Sequence, residues 1–174
     1  MPVRGEPKAH RLYLLRHAEA AATGTDWRDS SRELTRGGRA QARAVAEVLA
    51  GQRVELVLCS SAARTRQTAE LLQLPAPVRY LDRLYNAGSR QLLAELSGVE
   101  DQVRTVLLVG HAPGIAALAV NLADRQHSSP EALSLIRYNF PPATLVGLEF
   151  YGGWSALAEA RLFTARHPST GRPG

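Results

Sequence analysis

The stretch Leu12-Tyr13-Leu14-Leu15-Arg16-His17-Ala18-Glu19 constrains this chain more than any other. A short apolar run rich in strand formers reads as a buried strand. Here the run stops abruptly in a guanidinium, an imidazole and, two residues on, a carboxylate. Polar groups just past the carboxyl end of a buried strand sit where open α/β sheets build their ligand sites.

The remainder alternates in a way that suits such a sheet. Apolar strand patterns run over 54–59, 104–109 and 144–150, with a shorter one at 78–81 and a return strand at 159–164. Leu34-Thr35-Arg36-Gly37-Gly38 leads into a helix whose Ala42, Val45, Ala46 and Leu49 share one face, and Gly51 is its stop signal. Ser60-Ser61 is predicted to cap a helix over 62–73, and Ser89 to cap one bearing Leu92, Leu93 and Leu96. A fourth helix is expected over 115–123, and a weaker one over 131–138. Strand and helix in alternation imply an α/β fold: a three-layer sandwich with a mostly parallel central sheet, helices on both faces and an antiparallel C-terminal edge strand. The 174 residues suit one domain, placed at 10–167 between a flexible N-terminus at 1–9 and a disordered tail at 168–174. The polar stretch from Thr23 to Glu33 reads as an exposed loop able to fold over the end of the first strand.

Charge narrows the ligand. The formal balance is +5, from 21 Lys+Arg against 16 Asp+Glu, and Lys8 is the only lysine. A modest excess of arginine suits anions, phosphate above all. No dense basic run with interleaved aromatics marks a nucleic-acid surface, so no nucleic-acid partner is expected. No apolar stretch reaches bilayer length, and residues 1–10 lack the apolar segment of a secretory signal, so neither membrane nor export is expected. The single cysteine, Cys59, cannot form an internal disulfide and reads as a packed small hydrophobe. A cytoplasmic location follows as the expectation.

Three predicted strands end in groups of one kind: Arg16-His17, then Ser60-Ser61 with Arg64 in the next helical turn, then Gly110-His111. In a parallel sheet these ends share one edge. Two guanidinium and two imidazole groups would then meet beside Gly-rich turns and a helix N-terminus, which is an anion site. Phosphoryl transfer through a histidine is the chemistry this suggests, since a neutral imidazole is a competent nucleophile near pH 7. The arginines would disfavour the imidazolium and so keep His17 neutral in the empty site. No spacing of Cys, His, Asp or Glu resembles a metal site, so neither metal nor other cofactor is expected. His10, His127 and His167 read as surface residues, Arg66 as an exposed helix cation, and Trp27 and Trp154 as packing, with Trp27 placed to rim the pocket.

The residues also resemble a known family. Leu-Leu-Arg16-His17-Ala18-Glu19 resembles the Arg-His-Gly motif of the histidine phosphatase superfamily, with its phosphoglycerate-mutase-like fold. Leu34-Thr35-x-x-Gly38-x-x-Gln41-Ala42, the segment from Ser60 through Arg64 to Gln67-Thr68-Ala69, and Gly110-His111-Ala112-Pro113 are similar to its further motifs, in the same order. The resemblance covers 11–164. It implies that His17 is the phosphorylated nucleophile, that Arg16 and Arg64 bind the phosphoryl group and that His111 contacts it. It further implies that Glu19 orients Arg16 and that Thr23 stands where many members carry a phosphate-contacting Asn. Larger members place a Glu acid after the third strand. Here that region is Arg83-Leu84-Tyr85-Asn86-Ala87-Gly88, and only Asp82 precedes it as a candidate acid. That form, with Asn139-Phe140-Pro141-Pro142-Ala143, is similar to the short bacterial phosphohistidine phosphatases (SixA type). The implied activity is a metal-independent phosphatase acting on phosphohistidine in a signalling or phosphotransfer protein. The alternatives are a phosphatase for small phosphate esters, a mutase, and a non-catalytic phosphate-binding module.

Overall fold

The computed structural model describes residues 5–168. Among these residues six strands form one sheet: β1 His10–Arg16, β2 Leu56–Ser60, β3 Val78–Leu81, β4 Thr105–Gly110, β5 Leu145–Phe150 and β6 Arg161–Arg166, in the spatial order β3-β2-β4-β1-β5-β6. β1 to β4 run parallel, β5 runs against β1, and β6 pairs antiparallel with β5. Five helices cover the sheet: α1 Arg36–Leu49, α2 Ala63–Leu72, α3 Ser89–Ser97, α4 Gly114–Leu122 and α5 Pro130–Tyr138.

Alternation along the strands divides the core in two, because successive side chains point to opposite faces. Leu12 and Leu14 of β1, Leu56 and Leu58 of β2, and Val106 and Leu108 of β4 pack with Leu92, Leu96, Ile115, Leu118 and Ile136 of α3, α4 and α5. Tyr13 and Leu15, Val57 and Cys59, and Leu107 and Val109 face the other way, onto Ala42, Val45 and Leu49 of α1 and Ala69 and Leu72 of α2. Central strands buried on both sides explain the unbroken apolar runs Leu12–Leu15 of β1 and Val106–Val109 of β4. Each fully buried leucine contributes roughly 1.5–3 kcal/mol.

Several details differ from the sequence reading. Ser60 and Ser61 do not cap α2. Its N-cap is Ala62, with no side-chain cap, and the Ser60 hydroxyl meets the Ala62 N–H at 3.5 Å and His111 at 2.8 Å. Ser89 begins α3 rather than capping it, and the Gly88 N–H instead donates to Gln91 Oε1 at 3.0 Å. β6 starts and ends two residues later than the predicted 159–164. His10 is buried, not on the surface. It stacks on Phe150 at 5.3 Å, meets Trp154 edge-on at 5.4 Å and donates from Nε2 to the Asp101 carbonyl at 3.0 Å. Trp154 is fully buried as packing, whereas Trp27 packs against little and is 87% exposed. Arg66 is half-buried: it donates to the Ser61 carbonyl at 2.8 Å and lies 4.2 Å over the Tyr80 ring. His127 is exposed and pairs with Asp124, and His167 hydrogen-bonds the Asn139 carbonyl. Cys59 is buried, and burial pushes its thiol up to about 12. Residues 5–9 carry no regular structure, while the rest of the predicted lead-in, 1–4, and 169–174 of the predicted tail lie outside the described residues. Among the described residues, no helix is long and apolar enough to cross a membrane.

Candidate active site

β1 delivers Arg16 and His17 to the carboxyl edge of the sheet, and the backbone fixes them from both sides. The His17 N–H donates to the Gly110 carbonyl of β4 at 3.0 Å, and the Arg16 N–H to the Thr144 carbonyl at 3.2 Å. Ala143 sits with φ at +63°, a costly conformation for an alanine, and its N–H reaches the carbonyls of both Arg16 and His17. The Arg16 guanidinium donates to the Phe140 carbonyl at 2.7 Å. The Asn139-to-Ala143 segment therefore orients Arg16, a role the family resemblance assigned to Glu19.

Glu19 does other work. Its carboxylate accepts from Thr35 Oγ1 at 2.6 Å, and its backbone N–H donates to Gln41 Oε1 at 2.9 Å. Thr35 in turn caps α1 by accepting from the Gly38 N–H at 3.0 Å. A Cβ on Gly38 would lie 2.0 Å from the Glu19 carbonyl oxygen, so only glycine lets α1 begin this close to the loop. From α2, Thr68 Oγ1 accepts from the Ala18 N–H at 3.1 Å, and Gln67 Oε1 from the Leu34 N–H at 2.8 Å. The polar residues of the second and third motifs thus hold the backbone around His17. Thr23 is exposed, in a bend beyond these contacts.

His17 and His111 are both 5% exposed, with ring centroids 5.4 Å apart. His17 Nδ1 faces the Ala18 carbonyl at 2.7 Å. A carbonyl only accepts, so Nδ1 carries the proton and Nε2 the free lone pair. Burial pushes His17 down to about 4, helped by the charges of Arg64, Arg16 and Arg32 and opposed by the Ala18 hydrogen bond. Burial, then Arg64, pushes His111 down to about 3. Both rings are therefore neutral at pH 7. Ser60 Oγ lies 2.8 Å from His111 Nε2. When that hydroxyl donates, the ring proton sits on Nδ1, a buried atom with no other partner.

Arg64, nearly buried in the first turn of α2, meets Asp29, and through it Arg32 and Tyr85, none of which sequence reasoning placed in the site. Its Nη1 donates to the Asp29 carbonyl at 2.8 Å and its Nη2 to Asp29 Oδ2 at 3.1 Å. Arg32 Nε lies 3.3 Å from Asp29 Oδ1, close enough to pair but without hydrogen-bond alignment. The Tyr85 hydroxyl donates to Asp29 Oδ2, and its ring meets His111 edge-on at 5.4 Å. The 23–33 loop does fold onto the site, as a short 3-10 turn at Asp29–Ser31. Asp82, the sequence's candidate acid, is exposed and contributes only its carbonyl to a turn. Asp29 is the carboxylate that the structure brings to Arg64. Its only sequence signal was the position of its loop after β1.

The arrangement can bind a tetrahedral oxyanion. Among the described residues, the buried Nε atoms of Arg16, Arg32 and Arg64 and Nδ1 of His111 have no hydrogen-bond partner, so donors remain for a ligand's oxygens. A cavity of about 260 Å³ opens beside His111, lined in part by Ala87, Gly88, Pro113 and Ala117.

Comparison with known proteins gives a consistent pattern. The family model described as "Histidine phosphatase superfamily (branch 1)" matches residues 12–88. An uncharacterised protein of Mycobacterium tuberculosis is 38% identical over 102 residues, 59% of this chain and 65% of that protein. The chain thus spans just under two thirds of the length of this relative. Phosphohistidine phosphatase SixA of Escherichia coli is 33% identical over 120 residues, 64% of this chain and 73% of that protein. A solved SixA structure from Nakamurella multipartitia superposes with a TM-score of 0.84 at 39% identity, covering 94% of this chain and 99% of that one.

Proposed function

This chain belongs to the histidine phosphatase superfamily, and from that premise we propose that it is a phosphatase that takes the phosphoryl group of a protein-borne phosphohistidine onto His17 and releases it to water. The observation that carries this reading is the state of His17: neutral, Nδ1–H tied to the Ala18 carbonyl, Nε2 free beside Arg16, Arg64 and His111.

In the first step the Nε2 lone pair attacks phosphorus while the P–N bond of the substrate breaks. The leaving imidazole keeps the electron pair and takes a proton from solvent. In the second step water attacks the phosphorus of the His17 adduct, the His17 P–N bond breaks, and inorganic phosphate leaves as His17 recovers its lone pair. Phosphoryl transfer asks chiefly for positioning and for charge around three oxygens. Arg16 and Arg64 supply forked donors and charge, and His111 a neutral donor. Arg32 adds a third positive charge near the rings. The guanidinium groups do the neutralising work that a metal ion does in other phosphoryl-transfer sites.

The choice of phosphohistidine over an ester rests on the leaving group. An alkoxide needs a proton from a positioned acid, an effect worth roughly 10²–10⁴-fold, whereas imidazole takes its proton from solvent and needs no positioned acid. Asp82 is exposed, and Asp29 is ionised, held low first by the Tyr85 hydroxyl and then, against partial burial, by Arg64. E. coli SixA, a relative, carries the phosphohistidine phosphatase name. The proposed setting is the cytoplasm.

The test is hydrolysis of a phosphohistidine-bearing protein set against a panel of sugar phosphates and nucleotides, with His17→Ala as control. Turnover of the phosphohistidine protein, an acid-labile phosphoenzyme in the wild type and neither in His17→Ala is the expected result. Faster turnover of esters would move the substrate to small molecules. No phosphoenzyme in either form would leave a binding module.

A further inference from the structure

The Arg64 guanidinium, although buried, is already occupied by an anion of the protein's own. Asp29 gives it a backbone carbonyl and a carboxylate oxygen, and the same carboxylate also meets Arg32 and Tyr85. Yet the occupation is incomplete, since Nε of Arg16, Arg32 and Arg64 remain buried without hydrogen-bond partners among the described residues. A flat carboxylate anchored to its own backbone cannot reach them all.

We propose that Asp29 is a specificity-determining residue: its carboxylate is an internal counter-anion that a phosphoryl dianion displaces and that singly charged anions do not. This rests on the reading of Arg64 as a phosphoryl-binding group. The charges match the claim. Arg16, Arg32 and Arg64 carry one positive charge each, Asp29 carries one negative charge, and both imidazoles are neutral. The resting remainder is two positive charges, and it becomes three once Asp29 is displaced, which a phosphoryl dianion offsets further than a monoanion does. A tetrahedral group with three free oxygens offers acceptors to the donors that Asp29 leaves unmet, and this offsets the loss of the Asp29 contacts. A monoanion carries less charge to the same donors and does not offset it.

The position of Asp29 suits displacement. Its side chain is 52% exposed, on a 3-10 turn without buried residues, while Arg64 stands on α2 and is 5% exposed. The carboxylate can swing into solvent without disturbing either core layer.

The experiment uses the full chain and two probes at pH 8, inorganic phosphate as the dianion and nitrate as the monoanion, with binding read by calorimetry. The variants are Asp29→Asn, Tyr85→Phe and Asp124→Asn. Tyr85→Phe loosens the hold on the carboxylate without changing charge. Asp124→Asn makes the same charge change at a carboxylate that pairs with His127 instead. In Asp29→Asn, phosphate binding should tighten by about tenfold, the scale of one charge-assisted contact, and nitrate should become a detectable ligand. Tyr85→Phe should shift phosphate binding in the same direction by less, and Asp124→Asn should match the wild type. Unchanged or weaker phosphate binding in Asp29→Asn, or an equal gain in Asp124→Asn, overturns the proposal and leaves the phosphatase reading standing. If neither folded wild type nor folded Asp29→Asn binds phosphate, both readings fall.

Discussion

Lowering the pH should destabilise this fold through its two site histidines, by an amount that follows from their burial. In the unfolded chain each imidazole titrates near its ordinary value of 6.5, whereas in the folded chain His17 is held to about 4 and His111 to about 3. Above pH 6.5 both states leave the rings neutral, and stability does not depend on them. As pH falls through 6.5, the unfolded chain takes up protons that the folded chain refuses, so stability is lost at about 1.36 kcal/mol per pH unit per ring. The loss levels off only as the folded rings themselves titrate. At pH 4.5 it reaches about 2.5 kcal/mol for His17 and a little more for His111, together about 5 kcal/mol. That rivals the whole stability of many domains, which is roughly 5–15 kcal/mol. Urea unfolding of the wild type and of His17→Asn at pH 7.5, 6.5, 5.5 and 4.5 isolates one ring. Carboxylates such as Asp29 also weaken the fold on acidification, but they act in both proteins and cancel in the difference. The gap in pH dependence should open to about 2.5 kcal/mol by pH 4.5. Parallel profiles, or a ring titration of His17 near 6.5 by NMR, would show that burial and the neighbouring arginines do not keep the nucleophile neutral.

Two further outcomes test how the site is held. Ser60→Ala removes the hydroxyl 2.8 Å from His111 Nε2. It should cost about 1 kcal/mol of stability but about tenfold in kcat with KM little changed, and Ser60→Thr should restore part of kcat. Gly38→Ala places a Cβ 2.0 Å from the Glu19 carbonyl and should destabilise by roughly 2 kcal/mol or more in urea unfolding. Gly37→Ala, whose Cβ would have nothing nearer than 3.5 Å, should instead stabilise α1 by roughly 0.5–1 kcal/mol.

Two kinds of feature were legible before the structure. Strands β1 and β4 announce themselves because burial on both faces requires an unbroken apolar run, and whatever follows such a run lies on one edge of a parallel sheet. Arg16, His17, Arg64 and His111 could be grouped on that ground. Features set by chain crossings at long range were not legible. His10 looks like a surface residue at a strand start until Trp154, far along the chain, closes over it beside Phe150. Trp27 has the bulk of a packing residue, but a positive φ in an exposed turn leaves the ring in solvent. Ser60 has the chemistry of a helix cap, and the same short hydroxyl serves His111 because the N-cap of α2 falls two residues later, at Ala62.

The costliest omission was Asp29 and Arg32: the fold of the 23–33 loop over the first strand was legible, but no periodicity tells which side chains of a polar loop enter a site. Counting two arginines at the strand ends gives a site of charge +2 by chance. The structure reaches the same total differently, with a third guanidinium from Arg32 and a carboxylate from Asp29. The two routes differ in chemistry. Two free guanidinium groups would take any small anion, whereas three, two of which already hold a carboxylate, release it only to a ligand with more charge and more acceptors. Selectivity for the phosphoryl dianion therefore resides in the loop, and the strands supply only its affinity.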